Sequence, residues 1–264
     1  MESGNVMTGT TIGWRVYGMG VMALGLLFLA WGTFLPGQPV PKDFPGALAY
    51  AAGLFLLGAG AAIEWRRTTA WAAAALTAYY AIIVVAVMDG RLLFAHYAEY
   101  GLYSGAAEQL AIAAGGLIVY AAHAKIDASL AARLTRLGQI VFGICAVLFG
   151  GAHFFYMDLT APLVPAWLPP SQTFWGYATG VAHIAAGVAI LIRMQARLAA
   201  ILLTAMYASF TLLVHLPMLL SRPSSHFIWS ENALNLALIG VAWVVADSLA
   251  RRPRDAAIGR SSAA

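Results

Sequence analysis

The sequence predicts an all-α integral membrane protein in which eight transmembrane helices form two parallel four-helix repeats. Three observations predict it. Of 264 residues, 61% are hydrophobic and only 10% charged, against roughly a quarter charged in soluble domains. Apolar runs of about 20 residues, the length that crosses a bilayer as a helix, recur eight times. Identical residues also recur at one fixed spacing between the two halves of the chain.

Taken in order, the spans fall near 14–34, 46–64, 69–88, 105–123, 137–157, 172–192, 197–220 and 229–249, each bounded by glycine, proline or charged residues. The opening segment 1–13 has no basic n-region, and the first run ends at Pro36 without an A-x-A cleavage pattern, so it reads as a retained span. The proline-rich crossings LPGQPVPKDFP and TAPLVPAWLPP read as rigid caps, because proline fixes the backbone and removes donors. The segment Arg91–Tyr103 mixes aromatic and polar residues and reads as a short lid lying along the membrane surface. Residues 124–136 form a polar linker and 250–264 a disordered tail. The organisation is therefore 1–13 as N-terminal segment, 14–123 as first repeat, 124–136 as linker, 137–249 as second repeat and 250–264 as tail.

Charge gives the orientation. Eight spans put both termini on one side, and twelve basic residues fall there (Arg15, Arg66, Arg67, Lys125, Arg133, Arg136, Arg193, Arg197, Arg251, Arg252, Arg254 and Arg260). Only Lys42, Arg91 and Arg222 fall opposite. Lys and Arg concentrate in cytoplasmic loops, so the termini are expected in the cytoplasm. The net charge of +4 is spread along the chain with no single patch, which excludes a nucleic-acid partner. One cysteine, Cys145 in an apolar run, excludes disulfides, dithiol relays and thiolate clusters, and reads as a packing residue. Trp14, Trp65, Trp71 and Trp229, near span ends, read as interfacial anchors.

Tyr50, Gly53, Gly60, Arg66, Thr77 and Tyr80 each meet an identical residue 127 positions later, at Tyr177, Gly180, Gly187, Arg193, Thr204 and Tyr207. Val40-Pro41 with Phe44-Pro45 returns as Val164-Pro165 with Leu168-Pro169, and Glu108-Gln109 answers Glu231-Asn232. Four spans per copy is an even number, so the copies enter the membrane in the same sense. Thr33, Leu56 and Met88 stand where the second copy has His153, His183 and His215. Ionisable residues in a bilayer carry a desolvation cost, which points to chemistry in the second copy.

His153, His215 and Glu231 lie near the non-cytoplasmic ends of their helices and form the expected catalytic set. His183 lies deeper, Asn232 and Asn235 extend the stripe of the last helix, and Trp167 reads as a lid; these four are the expected cofactor-binding residues. Imidazoles from facing helices ligate haem or a transition metal, a His with a carboxylate exchanges protons with a quinone, and a His/Glu path carries protons in a transporter. No HExxH or CxxCH spacing occurs. The plain alternative for each histidine is a helix cap or a bond to a carbonyl. Asp89, His96, Glu99, Asp158, Arg222 and His226 read as solvated outer-loop residues.

The stretches HFFYMDLTAPLVPAWLPP, FWGYATGVAHIAAGVAIL and RLAAILLTAMYASFTLLVHLP, over about residues 137–249, resemble the DoxX family of four-span membrane proteins. The first half is a degenerate copy, so the whole looks like a tandem DoxX-like protein. That resemblance implies a bacterial inner-membrane protein linked to respiratory redox chemistry, with His153 the first residue to carry over and His183 the polar position of the second span. The expectation is a quinone- or haem-binding site near the outer mouth of the second repeat, served by a redox partner protein, with membership of a quinone-linked oxidoreductase and assembly as a homo-oligomer. A small-solute permease and a non-catalytic scaffold are the alternatives.

Overall fold

The computed structural model describes residues 12–36, 38, 40 and 45–250, and among these the regular structure is helical, with no strand. Eight helices are long and apolar enough to cross a bilayer: α1 (Gly13–Trp31), α2 (Gly46–Ile63), α3 (Thr69–Ala95), α4 (Tyr100–His123), α5 (Ala128–Phe155), α6 (Gln172–Ile192), α7 (Ala196–Ser221) and α8 (His226–Ala250). Most of the expected N-terminal segment 1–13, the tail beyond Ala250, and Lys42 lie outside the described residues.

Each expected span has its helix, and the ends differ for local reasons. α1 stops at Gly32, whose φ of 65° lets its amide donate to Phe28 O at 2.9 Å and close the last turn. α3 runs on to Ala95 through a π-helical stretch, Tyr79–Asp89, and α4 already begins at Tyr100. The expected lid over Arg91–Tyr103 is therefore mostly helix. Asp89, expected in a solvated loop, is 6% exposed. α5 begins at Ala128, so most of the expected linker 124–136 is helix. Asp127 caps it by accepting from Ser129 N at 2.8 Å and Leu130 N at 3.2 Å, and the following Ala, Leu and Arg are strong helix formers that hydropathy undervalues. His226, also expected in a loop, opens α8 with its ring stacked on Trp31 at 4.6 Å.

α1 packs on α2 and α8, and α5 packs on α6 and α4. Glycines set both α1–α2 and α5–α6 distances. A Cβ on Gly25 would lie 2.8 Å from Gly53 O, and one on Gly60 2.8 Å from Gly18 O; a Cβ on Gly150 would lie 2.6 Å from Gly180 O, and one on Gly187 2.6 Å from Gly143 O. No side chain fits between these backbones. Gly18 and Gly25 precede Gly143 and Gly150 by 125 positions, and this register sets Phe28, not Thr33, opposite His153. Across the middle, Tyr17 is fully buried on α1 and donates its hydroxyl to Ile112 O of α4 at 3.2 Å.

Candidate functional site

The polar residues expected to converge form three separate groups. The first is a clamp between α7 and α8. A π-helical turn at Thr211–His215 lengthens the bonding step of α7 and leaves carbonyls in need of donors. Asn235, 6% exposed, donates from Nδ2 to Tyr207 O at 2.9 Å and to Thr211 Oγ1 at 2.7 Å. Asn232 Nδ2 donates to His215 O at 3.2 Å and to Ile228 O at 2.8 Å. These asparagines hold helices together, and His215 enters through its backbone carbonyl.

The second group is a pair of imidazoles between α5 and α6. His153 Nδ1 lies 3.0 Å from Gly176 O and 3.2 Å from Thr179 Oγ1, and His183 Nδ1 lies 2.9 Å from Thr179 O. A carbonyl only accepts, so each Nδ1 carries the proton and each Nε2 is the acceptor atom. The rings stand 5.2 Å apart at 42°. Phe149, Tyr207 and Phe210 surround His183, which is 2% exposed, and the Tyr207 ring is 5.5 Å away. The Tyr207 hydroxyl is buried without a hydrogen-bond partner among the described residues.

A haem shared by these imidazoles does not fit. Two axial histidines face each other across the macrocycle, whereas these rings sit side by side on carbonyls of one helix, α6. Among the described residues no group of three His, Cys, Asp or Glu side chains is arranged to hold a metal ion.

The third group is a cavity of about 190 Å³ between α3, α4 and α8, bordered by Leu35, Pro36 and Gln38 after α1. Asp89, Glu108, Gln109 and Glu231 line it. The π-helical stretch of α3 ends at Asp89, where Gly90 N donates to Val85 O, and the widened turn delivers the carboxyl to the bundle interior. α4 presents small residues beside Glu108, including Ala106, Ala107 and Ala111, so that its neighbours close in. Glu108 interacts electrostatically with both Glu231 and Asp89. Asp89 Oδ2 and Gln109 Oε1 are buried without hydrogen-bond partners among the described residues. The described lining contains no Lys, Arg or His.

His153, His183 and His215 therefore lie outside the cavity that Glu231 lines, and Trp167, 71% exposed, lies outside it as well. Asp89, Glu108 and Gln109 are the members that sequence reading did not select. The signal for Glu108 was its match to Glu231 in the other half; nothing local marked Asp89, because its burial depends on α3 continuing past it.

Residues 142–246 are similar to the family described as a domain of unknown function (DUF8561). The match begins within α5 and ends within α8. No curated protein matches the chain, and no solved structure does.

Proposed function

We propose that this chain is a multi-pass membrane protein of two parallel DoxX-like repeats that takes a small cation into the cavity between them, and thus serves as a small-solute transporter. The observation that carries this reading is the lining of that cavity. Among the described residues three carboxyls crowd together without a basic partner, and two buried oxygens lack donors. Confined carboxyls are electrostatically costly, and a bound cation offsets that cost. Parallel repeats are supported by the matching glycine contacts and by π-helical turns in the third helix of each half. The excess of basic residues at the terminal end supports cytoplasmic termini in a bacterial inner membrane and sets the cavity toward the opposite face.

The test uses the full chain in proteoliposomes with radiolabelled methylammonium. Uptake above that of empty vesicles, competed by sodium and abolished by Glu231→Gln, is the expected result. Uptake at the empty-vesicle level, or unchanged in both Glu231→Gln and Glu108→Gln, overturns the reading.

A second reading is favoured by one observation, the Tyr207 hydroxyl, which has no hydrogen-bond partner among the described residues, on a ring 5.5 Å from that of His183. A quinone carbonyl would accept that O–H; on two-electron reduction by a partner protein the quinone would take up two protons, which His153 and His183 would relay from water. Spectra of the purified protein with added quinone, before and after Tyr207→Phe, test it; an unchanged quinone affinity removes it.

A further inference from the structure

A second, larger cavity of about 800 Å³ opens at the end of the bundle where α1 begins and α8 ends. Its lining is opposite in sign to the first. Arg136 of α5, Arg193 of the turn after α6 and Arg197 of α7 reach it, with Asp247 as acidic counterpart. Among the described residues none of the three arginines forms a salt bridge. Arg136 donates to Ile190 O at 3.2 Å and Leu191 O at 2.6 Å, capping α6, which fixes the guanidinium and leaves three of its five N–H groups for other acceptors. Arg136 and Arg193 repel each other across this space.

Two further features narrow the occupant. Gln139, 4% exposed, donates from Nε2 to Ser248 Oγ at 3.0 Å, while its Oε1 is buried without a hydrogen-bond partner among the described residues. That oxygen requires a donor, such as a hydroxyl. Leu198, 51% exposed, supplies an apolar flank beside the arginines. The site therefore presents cationic donors, one buried acceptor and an apolar flank at the end of a bilayer-length bundle.

We propose that this cavity binds an anionic glycerophospholipid, its phosphate held among Arg136, Arg193 and Arg197, a headgroup hydroxyl on Gln139 Oε1, and an acyl chain along Leu198. Basic pockets between helices on the cytoplasmic side recognise such headgroups. The inference rests on the reading that the helices span a bilayer and is independent of the cation cavity. A soluble phosphate ester shares the headgroup chemistry and lacks the chain.

The test places the full chain in nanodiscs of phosphatidylcholine and titrates in phosphatidylglycerol, with sn-glycerol 3-phosphate as soluble competitor. Wild type is expected to bind phosphatidylglycerol saturably, and the double variant Arg193→Gln/Arg197→Gln about thirty-fold more weakly, at roughly a factor of five per charge. Gln195 adopts a φ of 49° in the same turn as Arg193 at 60°, so glutamine is compatible with that backbone. Arg197→Gln alone, at an exposed position, keeps the test decisive if the double variant does not fold. Incorporation into nanodiscs with no preference for phosphatidylglycerol, unchanged binding by the variants, or full displacement by glycerol 3-phosphate overturns the lipid assignment. Failure to incorporate into any bilayer instead overturns the membrane reading.

Discussion

Glu108 and Glu231, matching residues of the two halves, line one cavity and interact across it. The duplication thus brings two copies of a glutamate together where α4 meets α8, instead of giving each half a site of its own. If they hold one cation jointly, their substitutions are not additive. Glu108→Gln and Glu231→Gln are each expected to lower methylammonium uptake at least ten-fold, with the double variant no worse than the weaker single. Each Gln also removes a confined charge while preserving shape, so melting temperatures hold or rise. Multiplicative losses in initial uptake rate would mean two independent sites.

The glycine contacts between α5 and α6 make a stability prediction. Gly150→Ala places a methyl against Gly180 O and Ile184, where backbone must move, and is expected to cost about 1–3 kcal/mol. Gly58 has open space around its would-be Cβ, so Gly58→Ala is expected to stabilise by up to about 1 kcal/mol through chain entropy. Equilibrium unfolding in mild detergent separates the two. Equal effects would mean the close approach does not govern packing.

Hydropathy made the eight helices legible, because span length and apolar content are properties of the local sequence. Helix ends were less so. Ala128 to Arg136 is helical through the Asp127 cap and good helix formers, neither of which a hydropathy window registers. The duplication is legible at Gly53 and Gly60 but not at Gly18 and Gly25, because α1 and α5 are offset by 125 positions and not 127. The histidines drew attention as costly residues in apolar runs, and two of them do pair. Glu231 instead faces the first half, since the interface between halves is tertiary and leaves no spacing pattern within either copy.

Asn235 separates helix clamping from ligand binding. It satisfies Tyr207 O and Thr211 Oγ1 at the π-helical turn of α7. Asn235→Leu removes both bonds from a buried position and is expected to destabilise by about 1–3 kcal/mol. Asn232→Leu is expected to cost less, because Ile228 O is on its own helix and the bond to His215 O is longer. Thermal unfolding of the two variants checks the order. A stable Asn235→Leu protein that has lost ligand binding would reinstate Asn235 as a site residue.

Asp127 supplies a pH dependence outside the apolar spans. The Ser129 hydroxyl first, then the amides of Leu130 and Ser129, hold its carboxyl below the ordinary aspartate value of 3.8. A depressed folded-state value means the unfolded chain binds the proton more readily. The cap's contribution is therefore complete above the ordinary value and is lost as pH falls through it toward the folded value. Exchange protection of the Ser129 and Leu130 amides, corrected for intrinsic rates, is expected to drop below about pH 4 in wild type. Asp127→Asn keeps an acceptor and flattens the dependence, whereas Asp127→Ala lowers protection at every pH. Protection that ignores pH in wild type would show that α5 starts without help from this carboxylate.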